Sequence, residues 1–183
     1  IEPGHYIEYY KNNFLTAPYA YESDAYYPKE PEKAFELLVR EHIQSKDRVS
    51  INLSGGLDSS LLLHEIAKTG YTIDSYTTFF ADSADIFNED ALLAKKLSTD
   101  YKTNHREIVI TKQDYLNNLI ESYETIEEPN YNISNPIYLI TAKTEGVHGD
   151  KKRVTLSGDG GDEIFGGYSY YKEQLRLESQ KKF

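Results

Sequence analysis

Two glycine-rich loops, each entered from a short apolar run, constrain this chain more than any other feature. Arg48-Val49-Ser50-Ile51-Asn52-Leu53 leads directly into Ser54-Gly55-Gly56-Leu57-Asp58-Ser59-Ser60, and an apolar helical stretch follows. Val154-Thr155-Leu156 leads into Ser157-Gly158-Asp159-Gly160-Gly161-Asp162-Glu163. A strand that ends in such a loop and continues as a helix opens a βαβ unit, so a parallel sheet is expected. The text between the loops agrees. Tyr71 to Phe80 and Asn104 to Ile110 read as strands. Glu32–Ser45, Ser59–Lys68, Glu89–Leu97, Gln113–Tyr123, Pro136–Thr144 and Ser169–Gln180 read as helices. Phe35, Leu38, Val39 and His42/Ile43 fall on one face of the first helix, and Gly70 is placed to stop the second. The fold class is therefore α/β, a parallel sheet with helices on both faces. In such a sheet ligands bind beyond the carboxyl ends of the strands, where the strand order reverses. Both loops follow strands, so both are expected to open on one edge.

The residues before Pro28-Lys29-Glu30-Pro31 read differently: Tyr6 to Tyr27 is Tyr-rich, with short β-like runs broken by Pro. A boundary is expected there, separating 1–30 from 31–183.

Composition removes several classes of function. The net charge is −10, from 20 Lys+Arg against 30 Asp+Glu, which argues against a nucleic-acid surface. Lys151-Lys152-Arg153 is read as a solvated loop. The chain has no Cys, which excludes disulfides, thiolate metal sites and thiol nucleophiles within it. Its five His show no ligand spacing, and His105-Arg106-Glu107 is read as structural. No targeting segment is visible, and no stretch approaches the roughly 20 apolar residues of a membrane helix, so a cytoplasmic protein without membrane contact is expected. The absence of an initiator Met reads as a processed product, an excised piece, or the ordered part of something longer.

The first loop suits an anion. Gly55 and Gly56 let the backbone turn sharply, the amides at the helix start point outward together, and the hydroxyls of Ser54, Ser59 and Ser60 can donate to phosphate oxygens. Asp58 would repel a phosphate unless a cation lay between them, which suggests Mg²⁺. A Walker loop needs a Lys that is absent here. The plainer alternative is a polar strand-to-helix turn with Asp58 or Ser59 as the N-cap. The second loop, continued to Gly167, carries five Gly and three acidic residues in eleven positions. It reads as a second Mg²⁺ ligand and a substrate contact; the alternatives are an acidic surface turn or a calcium loop, and the EF-hand spacing does not fit.

Leu53 to Ser60 resembles the pyrophosphate-binding loop of the N-type ATP pyrophosphatases. Leu156 to Tyr168 resembles the second signature of one branch of them, the glutamine-hydrolysing asparagine synthetase family, as do Glu127-Glu128-Pro129 and Asn135-Pro136-Ile137-Tyr138-Leu139. Pro3-Gly4-His5-Tyr6 resembles the closing strands of that family's glutaminase domain. The resemblance implies an adenine nucleotide alpha hydrolase-like fold, with ATP and Mg²⁺ as ligands. It places Leu53, Ser54, Gly55, Gly56, Asp58 and Ser59 around ATP and pyrophosphate, Thr78 against the adenine, and Ser157 and Gly158 on the nucleotide. Asp58 and Asp162 would hold Mg²⁺. Asp159 would lie near the activated carboxylate, where relatives often carry Glu.

The implied function is an ATP-dependent carbon–nitrogen ligase of asparagine biosynthesis. It would adenylate a small-molecule carboxylate, aspartate first, release pyrophosphate, and admit ammonia or an amine. Alternatives are a related β-lactam, macrolactam or sugar amidotransferase synthetase, or a nucleotide-binding fragment without turnover. The family's Cys nucleophile, its downstream basic residue and its further helical half are not in this chain, so ammonia-producing chemistry is expected to be absent here and the synthetase site incomplete. A homodimer is compatible with the resemblance.

Overall fold

A computed structural model describes residues 5–18, 28–44, 48–81, 89–126, 132–148 and 154–180. Glu127-Glu128-Pro129, Lys151-Lys152-Arg153 and Pro3-Gly4 lie outside the described residues, as do residues 19–27 of the Tyr-rich segment. The chain divides into two compact units, Ile1–Leu37 and Leu38–Phe183.

In the first unit, β1 (His5–Tyr10) pairs antiparallel with β2 (Asn13–Pro18), with His5 opposite Pro18 and Tyr10 opposite Asn13. Lys11 and Asn12 form the turn, both at positive φ (48° and 63°), which is the geometry whose twist suits a two-residue hairpin. The Tyr9 ring packs 5.0 Å from Phe14 across the ladder, and its hydroxyl donates to Asn12 Oδ1 at 2.9 Å. α1 (Pro31–Ile43) begins with Pro at its first helical position, where the missing N–H costs nothing. Val39 and Ile43 are buried and Phe35 and Leu38 half-buried, but His42 is exposed and so leaves the expected apolar face.

The second unit is built on four parallel strands in the order β5-β4-β3-β6. These are β3 (Arg48–Asn52), β4 (Thr72–Phe80), β5 (Asn104–Ile110) and β6 (Val154–Leu156). The chain steps outward from β3 to β5, then returns to the far side of β3, so the order reverses between β3 and β6. Ile51 lies opposite Ser75 on β4 and Leu156 on β6. Val49, Ser50 and Ile51 are fully buried, as a central strand covered on both faces requires. The helices are α2 (Leu57–Ala67), α3 (Glu89–Asp100), α4 (Lys112–Ile126), α5 (Asn135–His148), α6 (Gly161–Phe165) and α7 (Ser169–Gln180).

Leu63 and Ile66 of α2 are fully buried. A second cluster joins Tyr76, Ile108 and Ile110 of the sheet to Tyr115 of α4 and to Ile137 and Ile140 of α5. Each such aliphatic side chain contributes ~1.5–3 kcal/mol by burial. At the strand starts, the edge opposite the glycine loops, Arg48 Nη2 and Asn104 Nδ2 both donate to Asp74 Oδ1, at 2.7 and 3.0 Å, tying three strands together.

Several element limits differ from the sequence expectation: α3 runs on to Asp100 and α5 to His148, and three other differences have a clear local cause. α2 begins at Leu57, because Gly56 in extended geometry (φ −70°, ψ 170°) serves as its N-cap. α4 begins at Lys112, because Thr111 and Asp114 cap it reciprocally: the Thr111 amide donates to Asp114 Oδ2 at 2.9 Å and the Asp114 amide to Thr111 Oγ1 at 3.1 Å. The second glycine loop contains a short helix, α6, bracketed by Gly160 and Gly166 at positive φ. Among the described residues, no helix is long and apolar enough to cross a membrane.

Candidate functional site

At the end of β3 the Leu53 amide donates to Tyr76 O at 2.8 Å, and Thr77 Oγ1 donates to Leu53 O at 2.5 Å. These bonds hold the strand to β4 up to the point where the chain turns. The turn is at Gly55, φ +88°, where a Cβ would collide with the backbone carbonyl of Asp90 in α3. Gly56 then caps α2 with no side-chain cap bond, so neither Asp58 nor Ser59 is the N-cap; both stand in the first turn. Ser54 Oγ accepts from the Gly56 amide at 3.2 Å and shares a 2.9 Å hydrogen bond with Ser59 Oγ, while Ser60 Oγ donates to Gly56 O at 2.6 Å. The hydroxyls thus hold the loop closed, and the first amides of α2 have no intrahelical acceptor.

The second loop comes off β6, beside β3. Ser157 Oγ donates to Asp159 Oδ2 at 2.9 Å and orients that carboxylate. The loop then passes directly over the start of α2. A Cβ on Gly158 would lie 3.0 Å from both Asp58 Cβ and the Ser59 amide nitrogen, and one on Gly161 would lie 2.6 Å from Asp58 Oδ2. Asp162 follows in the first turn of α6, and a Cβ on Gly167 would collide with its Oδ1.

The two loops enclose a cavity of about 750 Å³. Leu53, Ser54, Gly56, Asp58, Ser59, Thr78, Ser157, Gly158, Asp159 and Asp162 all line it; Gly55, packed against α3, does not. The lining carries four carboxylates (Asp58, Asp90, Asp159 and Asp162) and, among the described residues, no Lys, Arg or His. A smaller cavity of about 390 Å³ adjoins it and shares Tyr138, Gly158, Asp159 and Asp162 with it. Glu163 and Tyr168 also line the smaller cavity. The Tyr168 hydroxyl donates to Glu163 Oε1 at 2.8 Å, and that bond pushes its pKa up to about 12. Burial raises the pKa of Tyr138, with the Asp159 and Glu163 carboxylates adding to the effect.

The asparagine synthase family matches residues 31–182, which is most of the chain. The chain belongs to the asparagine synthase family. It is 30% identical over 168 residues to the glutamine-hydrolyzing asparagine synthetase of Sandersonia aurantiaca, covering 82% of this chain and 30% of that protein. It is 30% identical over 173 residues to glutamine-hydrolyzing asparagine synthetase 1 of Bacillus subtilis, covering 93% of this chain and 26% of that protein. The chain thus spans less than a third of the length of either relative. Among solved structures, NMN synthetase from Francisella tularensis aligns at 16% identity and a TM-score of 0.48, covering 67% of this chain and 52% of that one.

This asparagine synthase domain also brings residues to the cavity that the sequence did not single out as site residues: Asp90 and Ala91 from α3, Tyr138 and Thr141 from α5, and Phe165 from α6. Tyr138 stands in the Asn135–Leu139 motif, which was a usable signal. Asp90 carries none, since its place depends on how α3 meets Gly55. The donor set fits Mg²⁺. No cluster of three or more His, Cys, Asp or Glu able to hold a metal ion occurs among the described residues. Asp58 and Asp162 offer two carboxylates, and Mg²⁺ is commonly held by one or two, with substrate phosphates and water completing its shell.

Proposed function

We propose that this domain binds Mg·ATP between the two glycine loops and transfers the adenylyl group to a small carboxylate, aspartate first, as the activating step of amide formation. One observation carries the reading: loops from β3 and β6 meet over one cavity whose wall bears carboxylates and, among the described residues, no basic side chain. A polyphosphate can occupy such a cavity only with cations to offset the repulsion. Held by Asp58 and Asp162, Mg²⁺ would supply that charge neutralisation.

The chain's own groups account for the rest of the step. The first amides of α2 and the hydroxyls of Ser54 and Ser59 receive the leaving pyrophosphate, stabilising the charge that develops as the α–β phosphate bond breaks. Leu53 and Thr78 contact the nucleoside, with Thr78 against the adenine, while Ser157 and Gly158 cover the nucleotide from the other loop. Asp159, oriented by Ser157, faces the activated carboxyl group. Ammonia or an amine then displaces AMP, giving the amide. The names of the relatives include glutamine hydrolysis, which supports glutamine as the nitrogen source in the whole protein. Residues 1–30, with their β-hairpin, are then the end of a glutaminase-like domain that delivers ammonia.

ATP–pyrophosphate exchange tests the reading. Aspartate-dependent incorporation of labelled pyrophosphate into ATP supports it. Exchange with a different carboxylate alone points to a related synthetase, and Mg·ATP binding without exchange under any carboxylate points to a nucleotide-binding unit.

A further inference from the structure

Tyr138 stands on the first turn of α5 and lines both cavities. The turn that carries it is well anchored. Pro136 is fully buried, Ile137 packs on the Tyr76–Ile108–Ile110 cluster, and the Tyr138 amide donates to Ser134 O at 3.0 Å. Tyr138 is 50% exposed, and both cavities it lines are open to a ligand. The other phenol of the smaller cavity, Tyr168, is committed to Glu163. Burial and the nearby Asp159 and Glu163 carboxylates raise the Tyr138 pKa, so its hydroxyl remains a donor at neutral pH.

An incoming carboxylate meets repulsion from Asp159 and Glu163 of the smaller cavity, whereas a protonated amine is attracted by them. A neutral O–H on a residue that lines both cavities is suited to take a carboxylate oxygen there. Resting on the Mg·ATP reading above, we propose that Tyr138 is a substrate-positioning residue whose hydroxyl donates to the carboxylate of the second substrate where the acidic cavity opens on the nucleotide cavity. Tyr138 and the acidic wall then act in opposite senses: the phenol holds the oxygen partner of the new amide, and Asp159 and Glu163 draw in the nitrogen partner.

The test uses the whole chain labelled with [¹³Cζ]tyrosine, and Tyr138→Phe assigns the resonance by its loss. Mg·ATP binding is first measured by calorimetry; failure of the unsubstituted protein to bind overturns the nucleotide reading and this proposal with it. With Mg·ATP bound, titration with aspartate and then glutamate is expected to shift the Tyr138 resonance. A resonance that stays still through both titrations while Mg·ATP is bound overturns the positioning role and leaves the nucleotide reading intact. In pyrophosphate exchange, Tyr138→Phe is expected to raise KM for aspartate about tenfold more than KM for ATP, as loss of a hydrogen bond to a charged group implies. Equal changes in the two constants also overturn the proposal.

Discussion

Gly161 lies against the carboxylate of Asp58, so close that a Cβ on the glycine would sit 2.6 Å from Oδ2. These residues come from loops that follow different strands, β3 and β6. Their contact brings Asp162, the next residue along, to the wall that Asp58 lines. The glycine is thus required by the neighbouring loop.

Replacing Gly161 by Ala forces Asp58 to move or the loops to part. Gly161→Ala is expected to weaken Mg·ATP binding by about tenfold or more while circular dichroism shows an intact α/β fold. Calorimetric titration checks this, and wild-type affinity in the variant would show that the contact is unimportant.

Asp58→Ala and Asp162→Ala are each expected to weaken Mg·ATP binding by about tenfold. Chelation of Mg²⁺ by EDTA is expected to abolish measurable ATP binding in the wild type, because the cavity has carboxylates and no lining Lys, Arg or His among the described residues to meet the triphosphate. Unchanged affinity in both variants removes the metal assignment.

Gly55→Ala tests stability instead of ligand binding. The position has φ +88° and its Cβ would meet the Asp90 carbonyl, so strain and overlap add. A loss of ~1–3 kcal/mol from backbone strain, with further loss from overpacking, is expected in urea unfolding. A midpoint equal to that of the wild type would mean that α3 shifts freely.

His105 provides a pH-dependent prediction. Its Nδ1 lies 2.9 Å from Ser75 Oγ, while Nε2 is buried with no hydrogen-bond partner among the described residues. Burial lowers its pKa from the usual 6.5; Glu107 opposes the shift and Lys95 of α3 reinforces it. The unfolded chain therefore binds the proton more readily than the folded one. Stability from this group is complete above pH 6.5 and is lost as pH falls below that value toward the lowered folded pKa. Urea unfolding at pH 7.5 and 5.5 is expected to show a decline on acidification that His105→Gln flattens; equal declines in both proteins would exclude His105 as the source.

Much of the fold was legible in the chain because its signals are local. The strand Asn104–Ile110 matches its expected limits, since β-branched residues bounded by polar turns declare themselves without reference to the rest of the molecule. The candidate residues of the two loops could be chosen for a similar reason, because a glycine pair followed by Asp and Ser after an apolar strand has few structural uses. The α6 helix was hidden within a glycine run, and the Lys11–Asn12 turn lacks the glycine that usually marks positive φ.

The sequence by itself determined that two glycine loops would leave strands of a parallel sheet, because strand propensity and glycine placement act over a few residues. Only the tertiary structure decided that β6 returns to the side of β3 away from β4, that α3 presses on Gly55, and that α5 brings Tyr138 to both cavities. Those relationships join segments far apart in the chain. They follow from how the buried faces of strands and helices fit together, and no local pattern of residues encodes which neighbour each face will find.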